Sequence, residues 1–543
     1  MRTIRAFLLA LAVAGSASAG EPAVWQWSAP AGGSEARLWI PENCRKVRAV
    51  LLAQHNMIER GILEHPAMRR TLADCGIAEV FIAPSMDAVF RFDQGASDKL
   101  DAALKSLADQ SGYDEIANAP LIPMGHSAHA SFPWNCAAWK PGRTLAVLSV
   151  KGDAPLTNLT GSGRPNPDWG NQTLDGIPGL MVMSEYEWWE ARLAPLRDYL
   201  AKHPAAPIGV LADAGHGHFD ATDSLVEFLA LFIRKAAAAR LPEDGSNNLR
   251  AVDPSKGWLV DRWRRDETPR AHAAPHSSYS GDKNDAFWCF DEETARATET
   301  RHASGRGGKI TELGFIQNGG FVPISNTHAG TELTFQPETD GITFQLDSDF
   351  ITPLPKDPPT ATKDKRPPPT RVTPVAAAEG SHAAGKPAIS RIIGPVVPTE
   401  SGTFQISLDW MFPATNGKPI ETWFLTSHSG NSGFKGVVRQ AMMRVQPCAE
   451  GTDQTLTFPE IPDQHAGAEP IALTVTSGGC LPVSYYVREG PAVIRGGQLH
   501  LTPLPPRAKH PVKITVVAWQ FGRPSPPAVK AAAPVTRTFS VLR

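Results

Sequence analysis

Residues 121–130 read LIPMGHSAHA, a short apolar run that passes into a turn of small and polar residues. The apolar part has the length and composition of a buried strand. Ser127 sits in the turn, with Gly125, Ala128 and Ala130 as small neighbours. On a tight turn between a strand and a helix, a serine hydroxyl projects from the carboxyl edge of a sheet, where the helix N-terminus favours negative charge. The segment therefore predicts a strand, a sharp turn and a helix, with Ser127 exposed at the turn.

Similar apolar runs recur through the first 245 residues and alternate with helix-like segments. The strand-like runs are 47–53, 78–83, 121–124, 144–149, 180–183 and 208–211. Residues 99–111 and 222–239 have the apolar spacing of amphipathic helices that pack on a sheet. Repeated β-α units of this kind predict a mostly parallel sheet flanked by helices, so that residues 20–245 form an α/β domain.

The sequence beyond residue 245 has a different character. It is rich in turn residues and contains alternating apolar and polar runs such as 332–335 and 342–346. Alternation of period two predicts strands with one buried face. We therefore predict a β-rich domain over 246–450, interrupted by a proline- and charge-rich disordered loop at 356–374. A chain of 543 residues is long enough for two or three domains.

The N-terminus has the features of a secretory signal. Arg2 and Arg5 precede an apolar run at 6–14, and residues 17–19 form an A-x-A site. This pattern predicts a cleaved signal peptide at 1–19 and a secreted or periplasmic protein. The rest of the chain has no apolar run long enough for a transmembrane segment.

Charge and cysteine content narrow the possible partners. The chain has 53 Lys and Arg against 55 Asp and Glu, a balance that does not favour nucleic acid as a partner. The six cysteines show no C-x-x-C spacing, so the sequence indicates neither a metal site nor a cofactor. An oxidising compartment permits disulfides, and Cys448 with Cys480 is a candidate pair.

The motif around Ser127 resembles the nucleophile elbow of the α/β-hydrolase superfamily, which usually reads G-x-S-x-G. His129 stands where the second glycine is expected. The resemblance implies that Ser127 is a nucleophile that forms an acyl-enzyme, as in secreted carboxylesterases. It leads us to expect a carboxylic ester hydrolase acting on acylated carbohydrate or a similar extracellular ester. The expected partner is thus a small-molecule or polysaccharide ester, with no metal and no cofactor.

The same resemblance locates a base after the final strand of the α/β domain. Residues 212–220 read ADAGHGHFD and precede the last predicted helix. In the superfamily the histidine comes last in chain order. His216, directly after Gly215, matches that position and is favoured, while His218 is the alternative.

An acid is expected at the end of an earlier strand, where it would orient the histidine. Residues 177–187 read IPGLMVMSEYE and resemble the family segment P-x-L-x-x-x-G-x-x-D, with Ser184 in place of the glycine. Glu187 falls on the acid position. Glu185 and Asp153, the latter after the 144–149 strand, are alternatives.

Acyl transfer also needs two backbone N–H donors for the oxyanion. By family analogy Ala128 supplies one of them. The second should come from the loop after the 47–53 strand, where residues 54–57 read QHNM, and we assign it to Asn56 or Met57.

The end of the chain carries a second resemblance. Residues 455–464 (TLTFPEIPDQ) and 481–487 (LPVSYYV) look like the immunoglobulin-like modules of exported bacterial proteins. We therefore predict an immunoglobulin-like β-sandwich over 451–543. Such modules are usually spacers or adhesive units. Ser184 and His129 also stand where the family motifs usually have glycine, and these departures leave a second hypothesis open. In that alternative the chain is a catalytically inactive carbohydrate-binding or adhesive protein. The sequence leaves the oligomeric state open.

Overall fold

A sheet of eight strands forms the centre of the first half of the molecule. The computed structural model describes residues 23–354 and 371–543, except positions 162, 326, 416 and 417. The predicted signal peptide and residues 356–370 of the predicted loop lie outside this part. The strands are β1 (Trp27–Ala31), β2 (Ser34–Trp39), β3 (Ala49–Gln54), β4 (Ile77–Ala83), β5 (Leu121–His126), β6 (Val147–Val150), β7 (Gly179–Ser184) and β8 (Ile208–Asp213).

The strands lie in the order β1-β2-β4-β3-β5-β6-β7-β8. β1 and β2 form an antiparallel hairpin that joins the edge of β4. All neighbours from β4 to β8 are parallel. The prediction of a mostly parallel sheet with flanking helices is confirmed.

Helices cover both faces of this sheet. They are α1 (Glu59–Leu63), α2 (Pro66–Cys75), α3 (Ala96–Ser111), α4 (Phe132–Trp139), α5 (Glu190–Lys202) and α6 (Asp223–Arg240). Alternate residues of β3 point to opposite faces. Val50 and Leu52 share an apolar cluster with α3, while Leu51 and Ala53 share one with α6. Because both faces are covered, the parallel strands are continuous apolar runs in the sequence.

A small unit follows the α/β domain and packs on the outer strand β8. It consists of β9 (Trp258–Asp261), β10 (Ala274–Pro275), β11 (Ala286–Cys289) and α7 (Glu292–Ala303). At Gly209 the small unit lies so close to β8 that a Cβ on this residue would clash with the carbonyl oxygen of Trp288. Helix α7 was not predicted from the sequence, and it starts at a capping box formed by Asp291 and Thr294.

Residues 312–445 form what we call the central β unit. Its strands are β12 (Glu312–Gln317), β13 (Gly320–Phe321), β14 (Ile324–Ser325), β15 (Glu332–Leu333), β16 (Thr343–Gln345), β17 (Asp347–Ile351), β18 (Arg371–Val372), β19 (Ala388–Ile393), β20 (Val396–Glu400), β21 (Thr403–Ile406), β22 (Ile420–His428) and β23 (Val437–Val445). They build the sheets β15-β23-β22-β19, β16-β21-β20 and β13-β12-β17 and the pair β14-β18. The end of the loop predicted at 356–374 is thus ordered, because β18 pairs with β14.

Residues 456–542 form what we call the C-terminal β unit. Its strands are β24 (Leu456–Thr457), β25 (Gln464–His465), β26 (Ile471–Ala472), β27 (Thr476–Ser477), β28 (Ser484–Glu489), β29 (Ala492–Arg495), β30 (Gln498–Leu501), β31 (Val512–Gln520) and β32 (Ala532–Leu542). Sheets β25-β32-β31-β28 and β26-β30-β29 accompany the pair β24-β27. Ile514 and Phe539 belong to the same apolar cluster as Leu100 of α3. The assignment to an immunoglobulin-like module stays a prediction.

The predicted disulfide is not present. Cys448 and Cys480 are free thiols, as are the other four cysteines. The Cys480 side chain is exposed, and the Cys448 Sγ atom lies 3.3 Å from the Glu450 carbonyl oxygen. Within the described residues, no helix combines the length and the apolar character that crossing a membrane requires.

Candidate active site

Ser127 occupies the sharp turn that directly follows β5. Its backbone φ is 52°, in the left-handed region that a residue with a side chain seldom adopts. Gly125 makes the turn possible, because a Cβ there would clash with the carbonyl oxygen of His129. A strained turn of this kind exposes the serine oxygen at the carboxyl edge of the sheet. The predicted position of Ser127 agrees with this geometry.

The His218 ring bridges Ser127 and Glu187. Its Nε2 atom lies 2.6 Å from the Ser127 Oγ atom, and its Nδ1 atom is in hydrogen-bond contact with Glu187 Oε2. A carboxylate only accepts, so Nδ1 carries the ring proton and Nε2 is free to accept from the serine hydroxyl. The three side chains form the serine–base–acid arrangement of nucleophilic catalysis.

The preference for His216 over His218 is therefore contradicted by the structure. The His216 Nδ1 atom lies 2.7 Å from Asp220 Oδ2. Burial alone would lower the pKa of His216, but the hydrogen bond to Asp220 and the charges of Asp213 and Asp220 raise it above its ordinary value. Asp220 lies four residues after His216, and this local partner was a signal in the sequence that the analysis did not use.

Ser184 replaces the expected glycine and ties together two loops, which we call the acid loop (residues 185–189, with Glu187) and the base loop (residues 214–222, with His218). Ser184 and Glu187 form a capping box around the turn Glu185–Glu187, in which the backbone N–H of Ser184 donates to Glu187 Oε1 at 3.3 Å. Its hydroxyl donates to the Gly217 carbonyl at 2.7 Å. Burial alone would raise the pKa of Glu187, but the hydrogen bond and the charge of His218 lower it below its ordinary value. Glu187 is thus held as a carboxylate beside the base.

The two alternative acids are engaged elsewhere. Glu185 accepts hydrogen bonds from Gly215 N at 2.9 Å and from Lys435 Nζ at 2.6 Å. Asp153 Oδ2 accepts from the backbone N–H and the hydroxyl of Thr160, at 2.8 and 2.6 Å. The structure therefore brings Glu187, and neither of the other two carboxylates, to the base.

The donors expected in the 54–57 loop are already bound to a carboxylate. The N–H groups of Asn56 and Met57 donate to Glu59 Oε2, at 3.2 and 2.8 Å, which contradicts their assignment as free oxyanion donors. Glu59 is fully buried, and its Oε1 atom also accepts from His126 N at 3.0 Å. Ala128 directly follows Ser127 in the short helical turn Ser127–His129, as the analogy requires.

Glu59 is a buried carboxylate that the sequence analysis missed. Burial raises its pKa to about 7, although its hydrogen bonds with backbone N–H groups act in the opposite direction. A glutamate three residues after Asn56, at the start of a short helix, was the available signal, because such a side chain can fold back on preceding N–H groups.

His126, directly before the nucleophile, supports the base loop. The ring is fully buried, and its Nε2 atom lies 2.9 Å from the carbonyl oxygen of His218. Burial, and next the proximity of His218, hold the pKa of His126 well below its ordinary value. The neutral ring therefore donates Nε2–H to that carbonyl.

The central β unit borders the site through aromatic rings. Phe219, the residue after the base, lies 5.7 Å from Trp423 and 5.3 Å from His328, measured between ring centroids. Trp423 belongs to β22, and His328 lies between β14 and β15. Residues more than a hundred positions downstream therefore contribute to the surroundings of His218.

The architecture and the three side chains define an α/β protein with a serine–histidine–glutamate site. No family model matches the sequence, and no curated protein matches it. The chain is similar to a carboxyl esterase from Bacillus coagulans (12% identity, 40% of this chain, 99% of that chain, TM-score 0.28). It is also similar to a dienelactone hydrolase from Anabaena variabilis (18% identity, 41% of this chain, 100% of that chain, TM-score 0.28). A third similar structure is an esterase domain from a Rhodothermus marinus protein (20% identity, 37% of this chain, 92% of that chain, TM-score 0.25).

Proposed function

We propose that this protein is a serine hydrolase that cleaves carboxylic esters through an acyl-enzyme. The observation that carries the proposal is the His218 ring, which contacts both the Ser127 hydroxyl and the Glu187 carboxylate. The substrate we propose is acylated carbohydrate or a similar extracellular ester. The predicted export signal and the two appended β units support that choice.

The geometry supports the following sequence of steps. Ser127 Oγ attacks the ester carbonyl carbon while His218 Nε2 takes the hydroxyl proton. The oxyanion forms near the N–H of Ala128, and collapse of the intermediate breaks the bond to the alcohol, which takes the proton from His218. Water then attacks the acyl-enzyme with His218 again as base, which releases the carboxylic acid and restores Ser127. Throughout, Glu187 orients the ring and stabilises its positive form.

A fluorophosphonate probe tests the proposal, because it reacts with activated serines. We expect wild type to be labelled and to hydrolyse p-nitrophenyl acetate, and Ser127→Ala to lose both properties with an unchanged melting temperature. Glu187→Gln should lose about 10⁴-fold in rate, as in a serine protease triad, while Glu185→Gln and Asp153→Asn lose much less. Absence of labelling and of hydrolysis in wild type would contradict the proposal and favour an inactive binding protein.

A further inference from the structure

A buried lysine lies directly behind the base loop. Lys151 follows β6 and has no exposed surface. Its Nζ atom lies 2.6 Å from the carbonyl oxygen of Gly217, 2.6 Å from that of Asp220 and 2.5 Å from Asp220 Oδ1. Asp213 Oδ2 is a further neighbour, at 3.2 Å. An ammonium group has three protons to donate, and the four oxygens near Nζ all belong to this loop or to the strand before it.

The charges around this lysine are balanced. Asp213 also pairs with Arg301, and Asp220 also binds His216. Burial alone would lower the pKa of Lys151, but Asp220 and Asp213 raise it, so the side chain is a cation. Asp213, His216 and Asp220 are spaced like a metal-binding group. The ammonium group already supplies positive charge to both carboxylates.

The contacts of Lys151 lie on both sides of the base. Gly217 precedes His218 and Asp220 follows it by two residues, and the carbonyls of both are bound to the same nitrogen. Ser184 and His126 bind the carbonyls of Gly217 and His218. The carbonyls of Gly217, His218 and Asp220 therefore face buried donors, of which Lys151 is the charged one.

We propose that Lys151 is a positioning residue, whose ammonium group fixes the base loop so that the His218 ring lies between Ser127 and Glu187. The proposal rests on the proposed hydrolase function. Lys151 acts through the loop backbone, so its loss should displace the ring without changing any group that meets the substrate. A displacement of about 1 Å can lower the rate of an enzyme by about 10²-fold. The KM value should change little.

Lys151→Met tests this role, because methionine keeps much of the side-chain length and removes the charge. We expect kcat for p-nitrophenyl acetate to fall about 10²-fold with KM within about twofold, as for loss of positioning. Lys140→Met is the matched control. Lys140 forms a partly exposed ion pair with Asp101, and its loss should leave kcat unchanged.

Chemical rescue separates positioning from a purely structural role. Lys151→Ala leaves room for a small amine, so propylammonium should restore kcat at least tenfold, whereas 1-propanol should not. If propylammonium raises the melting temperature of Lys151→Ala without raising kcat, the proposal is wrong. Wild-type kcat in a folded Lys151→Met would also overturn it.

Two further results keep the test decisive. If Lys151→Met does not fold, Lys151→Met/Asp220→Asn removes one charge of each sign, and a wild-type kcat in that folded variant would contradict the proposal. Failure of the proposed function would look different, because wild type would then neither react with the fluorophosphonate probe nor hydrolyse the ester.

Discussion

His216 and His218 are two residues apart, yet their rings bind different partners. His218 contacts Ser127 and Glu187, while His216 binds Asp220 on the side of Lys151. Only one imidazole can transfer the proton of Ser127. At the scale of the residue, the site is therefore defined by the direction in which each ring points.

We expect His218→Ala to abolish ester hydrolysis and His216→Ala to retain most of it. Loss of the base in a comparable triad lowers kcat by about 10⁶-fold, whereas Asp220 keeps Lys151 as a partner when His216 is removed. Measuring kcat/KM for both variants beside their melting temperatures checks this. Equal losses, in two folded variants, would mean that the ring assignment is incorrect.

Glu59 predicts a pH dependence of stability. Burial raises its pKa from 4.5 to about 7 in the folded protein. A carboxyl that holds its proton more tightly when folded contributes stability below pH 4.5, and that contribution is lost as the pH rises through about 7. Glu59→Gln removes this contribution, so the difference in free energy of unfolding between wild type and Glu59→Gln should fall across this window. Glu42→Gln, at an exposed carboxyl, is the control variant.

At the scale of elements, the hairpin of β22 and β23 supports both catalytic loops. Tyr186 of the acid loop donates its hydroxyl to the Gly436 carbonyl. In the base loop, a Cβ on Gly217 would lie 2.6 Å from Val438 Cγ2. The hairpin thus touches the residues beside Glu187 and beside His218, and its packing helps to set their separation.

Gly217→Ala should lower kcat about tenfold or more, because the new methyl group pushes the base loop away from β23, and sub-ångström to 1 Å shifts are costly at a catalytic group. Val438→Ala removes the atom that would be struck, so the double variant should recover most of the activity. Steady-state kinetics of the two single variants and the double variant checks this. A double variant no better than Gly217→Ala would exclude the steric explanation.

The parallel strands of the α/β domain could be predicted from the sequence, because parallel strands covered on both faces are uninterrupted apolar runs. β3 to β8 appear within a few residues of the predicted positions. The Ser127 turn was readable for a local reason as well, since its small neighbours and preceding strand lie within ten residues.

The choice of base could not be predicted from the sequence, because it depends on contacts across the fold. The direction of the His218 ring is set by Lys151, Ser184 and His126, which come from three other strand ends. The Asn56 N–H group is occupied because Glu59, the first residue of α1, folds its side chain back onto the preceding loop. Spacing along the chain gives a local signal for the partners of His216 and of the Asn56 N–H group, but none for the direction of the His218 ring.

At the scale of the whole molecule, polar contacts join the α/β domain to both β units. Lys435 of the central β unit is buried, and its Nζ atom lies 2.6 Å from Glu185 Oε1 and 2.7 Å from Asp266. Arg507 of the C-terminal β unit donates its backbone N–H to the Tyr113 hydroxyl at 3.1 Å. The α/β domain is therefore supported from two sides by later parts of the chain.

Lys435→Met should destabilise the protein by about 3 kcal/mol, because it leaves the buried Glu185 carboxylate without its nearest cation. The activity should fall as well, since Glu185 lies two residues from Glu187. Arg444→Met, which breaks an exposed pair with Glu421, should cost less than about 1 kcal/mol. Denaturant unfolding of both variants gives the comparison, and similar losses would contradict a structural role for the buried pair.

The apolar cluster that joins α3 to the C-terminal β unit also bears on how the chain acquires its structure. Leu100 and Ile514 come from opposite parts of the sequence, and contacts between such distant segments form slowly. During synthesis, the residues of this cluster that belong to the α/β domain lack their C-terminal partners until β31 and β32 have been made. We expect partly folded chains at that stage to be the species most prone to aggregate. The exposed apolar surface should be buried only when the last strands pack against it.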